Sequence, residues 1–141
     1  MSLFDVFQIS GSGLSSQSVR LNVTASNLAN AETVSSSTEE TYRARQPVFA
    51  TLLSEFSNGA EKQAGVGVQV MGIVEDQSEL RTRYEPEHPL ANEDGYIFLP
   101  NVNTVEEMAN LMSASRSYQN NVEAINTSKQ LLMATLRLGQ Q

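Results

Sequence analysis

Large apolar residues return at every seventh position at the start of the chain, at Phe7, Leu14, Leu21 and Leu28, and again toward its end, at Leu111, Tyr118, Ile125 and Leu132. Each line has a companion rank offset by three or four residues. In the first segment this rank is Phe4, Gly11, Ser18 and Ala25, mostly small; in the second it is Met108, Ser115, Val122, Lys129 and Leu136. Alternating steps of three and four are the spacing of a coiled-coil seam, so the pattern predicts a helix over residues 3–30 and another from Thr104 to Leu138. At 1.5 Å per residue these would be rods of about 40 and 50 Å. Small residues let another backbone come close, but Gly11 and Gly13 each cost about 1 kcal/mol in a helix interior, which predicts that the first turns stand apart or form only on assembly. Thr104 and Glu107 have the spacing of a capping box, Glu106 suits the positive end of the helix dipole, and Gly139 is a natural stop.

Between the two seams the periodicity changes. VSSSTEETYRARQP suits an exposed connection, and VFATLLSEF predicts a short helix. In VGVQVMGIV, residues 66–74, Val66, Val68 and Val70 fall on one face of a strand, with Gly72 marking a bulge or a close approach. LRTRYEP reads as a further strand, and Asp94-Gly95 as a turn leading into Tyr96–Leu99. The expected fold class is α+β: long N- and C-terminal helices forming a coiled-coil-like pair, with a small β-rich middle. The expected division is an N-terminal axial helix (1–34), a middle segment (35–103) and a C-terminal axial helix (104–141). Leu3, Val6 and Ile9 lie off the first seam and Met112 and Leu131 off the second, so an antiparallel pair would leave apolar surface in water.

Composition sharpens this picture. Only 6% of the 141 residues are aromatic and none is Trp, lean for a chain that closes one large core. The net charge of −7 opposes binding to the phosphate backbone of nucleic acids, and the acidic excess sits in the middle. Residues 1–30 carry only Asp5 and Arg20, as suits segments that meet one another without repulsion. With no cysteine there is no disulfide framework, thiolate metal site or cysteine nucleophile. The start, MSLFDVFQISGSG, lacks the basic and continuous apolar stretches of a secretory signal.

Candidate chemistry is sparse. His88, the only histidine, sits between Pro86 and Pro89 among carboxylates; a metal site needs two or three convergent ligands, so it reads as a turn residue. Glu75, Asp76, Glu79, Glu85, Glu87, Glu93 and Asp94 form a solvated acidic face, since acid–base catalysis requires one carboxyl in an apolar pocket. The glycines at 65, 67 and 72 do not match the dinucleotide fingerprint. No cofactor is expected.

SNLANAET, residues 26–33, resembles the Asn-x-Ala-Asn signature of the axial proteins of the bacterial flagellum. HPLANEDGYIFLPNVNTVEEMANLMSASRSYQNNVEAIN, residues 88–126, resembles the pattern of their proximal rod members nearly throughout. RLNVTASNLANAETVSSSTEETYRARQPVF and GVGVQVMGIV match in the same order, so the resemblance covers almost the whole chain. Where many axial proteins carry a Thr-Pro-Gly-Tyr type of turn, this chain has AETVSSSTEETYRAR, which favours the proximal rod over the distal rod and hook.

The resemblance implies a structural, non-enzymatic subunit of the basal-body rod. It implies export through the flagellar type III system without a cleaved signal peptide, and helical assembly in the periplasm to transmit torque. The partners it implies are further copies of the chain, the rod proteins FlgB, FlgF, FlgG and FliE, and the MS ring; it implies neither nucleic acid nor a small-molecule substrate. Terminal helices of this family fold on assembly. Carried onto this sequence, Phe7, Leu14, Leu21, Leu28, Leu111, Tyr118, Val122, Ile125 and Leu132 would face neighbouring subunits, with Asn27 and Asn30 closing the first helix within that interface. The rival readings are a helical adaptor or chaperone that binds one partner through its heptad stripes, and a hydrolase using the 75–94 carboxylates.

Overall fold

The computed structural model describes residues 3–54 and 65–139. In chain order these form α1 (Leu3–Asn30), β1 (Arg45–Ser54), β2 (Gly65–Glu75), β3 (Arg81–Tyr84), β4 (Tyr96–Leu99) and α2 (Thr104–Leu138). The class is α+β, with a long helix at each end and antiparallel strands between.

The two helices lie against each other in opposite directions. Arg20 Nη2 donates to Asn110 Oδ1 at 3.2 Å, and Gly13 sits beside Asn121, so as numbers fall along α1 they rise along α2. Contrary to the expectation of separate first turns, α1 runs unbroken through Gly11 and Gly13. The reason is local: a Cβ on residue 13 would stand 2.9 Å from Asn121 Nδ2, so the glycine admits α2, and helix–helix packing offsets its low propensity.

The start of α2 is capped one residue earlier than the Thr104–Glu107 spacing suggests. Asn103 is extended (φ −98°, ψ 108°), and its Oδ1 accepts from Val105 N at 3.1 Å and Glu106 N at 3.4 Å, which leaves Thr104 as the first helical residue. Replacing the cap by alanine should cost about 1 kcal/mol. Thermal unfolding of Asn103→Ala checks this, whereas Thr104→Ala should change little. Gly139 ends the helix as expected, its N–H reaching Thr135 O at 3.1 Å.

VFATLLSEF does not form a helix. Residues 48–54 belong to β1, and Glu55 and Phe56 lie outside the described residues. Val48, Phe49 and Thr51 are strand-favouring residues, and β1 finds an antiparallel partner in β2, from Arg45 opposite Glu75 to Ser54 opposite Gly65. The register slips between Val48, opposite Gly72, and Phe49, opposite Val70; Met71 is the extra residue, so Gly72 does mark a bulge. A two-stranded ribbon is marginal alone, and this one leans on α1. Ser12 Oγ accepts from Val68 N at 3.2 Å, and Gly67 is buried against the same hydroxyl.

The second sheet is the small antiparallel element expected around Asp94-Gly95. β3 pairs with β4 from Arg81–Leu99 to Tyr84–Tyr96. Gly95 turns the chain at φ 80°, where a Cβ would stand 2.8 Å from the Tyr84 ring. The segment after α1 is less exposed than its serines suggest. Ser35 forms a bridge with Phe98 on the other edge of β4, and Thr41 and Ala44 are buried. Ala31, Ala44 and Val102, with Tyr42 against them, make a small cluster where α1 ends and α2 is about to begin. Ile97, Leu99 and Pro100 are buried in the adjoining β4 region.

Candidate assembly surfaces

The buried positions of α1 and α2 are mostly small or polar residues. On α1 the buried positions are Ser10, Ser16, Val23, Thr24 and Asn27; on α2 they are Ala114 and Ser128. The lines of large residues flank this contact. Phe7, Leu14, Leu21 and Leu28, and Leu111, Ile125 and Leu132, are half-buried, while Tyr118 and Val122 are exposed. The companion rank on α1 turns away from α2: Phe4, Ser18 and Ala25 are exposed. A rank set by heptads drifts around an α-helix of 3.6 residues per turn, which is how a regular stripe slides out of a straight helix–helix contact.

A large part of the remaining apolar surface lies along α2. Val105, Met108 and Met112 are 75%, 54% and 58% exposed, and Tyr118, Val122, Met133 and Leu136 continue that side at helical spacing. The register set by Gly13 and Asn121 carries α2 past the start of α1, so its last turns, with Leu131, Met133, Leu136 and Leu138 exposed, extend beyond α1. Six residues of the ribbon add to the apolar surface: Val48, Phe49, Leu52, Met71, Ile73 and Val74. The spacing of Val105 with Met108 and Met112 was the signal in the sequence for the first part of this face.

Asn27 is turned inward, not toward a neighbouring molecule. It is 1% exposed; its Nδ2 donates to Arg45 O at 2.8 Å, and its Oδ1 accepts from Arg45 N at 2.9 Å and Tyr42 Oη at 2.8 Å. These bonds lie wholly within the chain. Asn30 does end α1: its Nδ2 donates to Ser26 O at 2.8 Å, and Thr33 Oγ1 donates to Asn30 O at 2.7 Å. Two residues of this region carry no periodic signal in the sequence, Tyr42 and Asn101.

The candidate chemical groups are occupied in local structure. His88 Nδ1 accepts from Leu90 N at 3.1 Å, and the His88 backbone bonds Glu85 and Ala91, which is a turn. Glu75 pairs with Arg45 at 3.2 Å and Glu85 with Arg83 at 2.8 Å, both on the surface. Asp76 Oδ1 accepts from Ser78 N at 2.8 Å. Among the described residues no group of three His, Asp or Glu side chains is placed to hold a metal ion, and no helix is long and apolar enough to cross a membrane.

Residues 7–34 match the family described as flagella basal body rod protein, and residues 93–138 match the one described as flagellar basal body rod FlgEFG protein C-terminal. The chain is 49% identical over 140 residues to the flagellar basal-body rod protein FlgC of Salmonella typhimurium, covering 99% of this chain and 100% of the relative. It is 47% identical to that of Yersinia enterocolitica and 40% identical to that of Buchnera aphidicola subsp. Schizaphis graminum, each over the same shares. Matched from end to end at these identities, and by rod families at both terminal helices, the chain belongs to the FlgC family of flagellar basal-body rod proteins.

Proposed function

We propose that this rod subunit is a non-enzymatic building block of the proximal rod, held in place by the outer side of α2 and the flanks of α1, and that it transmits torque through packed helices. The observation that carries this reading is the surface. Among the described residues, large apolar side chains stand exposed along α2 and on both strands of the ribbon. Apolar side chains gathered in this way form the kind of patch that another subunit covers.

Phe7, Leu14, Leu21 and Leu28 of α1 and Leu111, Tyr118, Val122, Ile125 and Leu132 of α2 would contribute the subunit contacts, with Asn30 at their margin. Residues 1–34 and 104–141 would act as the axial parts and 35–103 as the part between them. Further copies, FlgB, FlgF, FlgG, FliE and the MS ring are the proposed neighbours. Type III export into the periplasm is the proposed route, and a chain that buries little apolar surface by itself suits ordering at the site of assembly. Deleting the gene from its own bacterium should yield non-motile cells whose basal bodies lack a complete rod, with recovery when the native chain is supplied. Normal rods and swimming in the deletion strain would refute the proposal.

A further inference from the structure

The base of the β1–β2 ribbon is gripped from both sides by two asparagine side chains far apart in sequence. Ala44 N donates to Asn101 Oδ1 at 2.8 Å, while Ala44 O accepts from Asp76 N at 2.7 Å. The next residue, Arg45, directs both its N–H and its C=O the other way, to Asn27. In an extended chain successive residues turn their N–H and C=O groups to opposite edges, so the two asparagines hold opposite edges of one strand. At the Asn27 edge the carboxamide, donor and acceptor together, does what the N–H and C=O of one residue in a third strand would do. Pro47, two residues on, has its missing N–H on that same outer edge, where a ladder bond is not needed. The return strand is held as well: Asn101 Nδ2 donates to Asp76 O at 3.1 Å and Ser78 Oγ at 2.8 Å, and the Arg43 guanidinium donates to Ser78 O at 3.1 Å.

We infer that Asn27 and Asn101 form a two-sided grip that makes ordering of the ribbon conditional on the last turn of α1. Asn27 belongs to that turn, and Asn101 lies two residues before the cap of α2. Unwinding the turn withdraws the carboxamide, leaves the Arg45 N–H and C=O without their partner, and frees an edge of a ribbon that is marginal by itself. The apolar ribbon is thus held in a fixed direction only once α1 is complete.

Residue-resolved amide exchange on the full-length chain tests this. Asn27→Ala should accelerate exchange at Arg45, Asp76 and Val68 together by about tenfold or more, with amides around Ala114 close to native rates. Ala29→Pro, at an exposed position in the same turn, should reproduce that pattern with Asn27 intact. Native rates at the three ribbon amides in either variant would overturn the inference, as would acceleration spread equally to the Ala114 region. Should Asn27→Ala fail to fold, Tyr42→Phe removes one bond to Asn27, and a smaller acceleration at the same amides is expected; no change there would overturn the inference too.

Discussion

Val122→Asp is expected to leave the chain folded and to abolish incorporation into rods. Val122 is 36% exposed, so in the free chain a carboxylate there keeps much of its water, and the cost should stay near 0.5 kcal/mol. Covered by a neighbouring apolar surface, the same carboxylate is unpaired and desolvated, at a cost of several kcal/mol, enough to lower association by a hundredfold or more. Circular dichroism on the variant and electron microscopy of basal bodies from cells carrying it separate the two effects. Leu21 and Ile125 belong to the same lines of large residues but are already half-buried in the chain, so an Asp at either confounds folding with assembly. Complete rods containing Val122→Asp would show that this side of α2 does not face another subunit.

Ile97→Ala should be the most damaging single truncation to the fold. Ile97 is 0% exposed, in the strand that pairs with β3 on one edge and bridges to Ser35 on the other. Removing three carbons from a filled site costs about 2–5 kcal/mol, and the upper part of that range applies where the surroundings are tied by hydrogen bonds and cannot collapse. For a chain of this length the expected fall in Tm is on the order of 10 °C by calorimetry. A drop of only a degree or two would mean that β4 contributes little to the cooperative unit.

The two helices were readable because their apolar residues repeat over many turns, and periodicity averages over local exceptions such as Gly11 and Gly13. Tyr96–Leu99 was readable for a different reason: the Asp94-Gly95 turn has a chemistry of its own. VFATLLSEF was misread because a short apolar run suits either element, and only the pairing with β2, more than ten residues away, decides it. Asn103 took the cap from Thr104 because either side chain can fill that role and the preceding backbone geometry chooses between them. The inner face of the helix pair was hidden for a deeper reason. Its serines and Thr24 look like solvent-facing residues in any hydrophobic pattern, yet they are buried, small enough for neighbouring elements to approach closely. Asn27 stood out in the sequence by its motif, but that it grips Arg45 depends on a strand edge that no local pattern describes.

The hydroxyl-rich contact between α1 and α2 also bears on how easily the two rods come apart. Burying serine, threonine and alanine removes little oily area from water, so peeling one helix from the other loses far less attraction than opening a leucine zipper of the same length. A fastener of that kind opens at low cost, and it leaves the bulkier side chains on its flanks only half-buried.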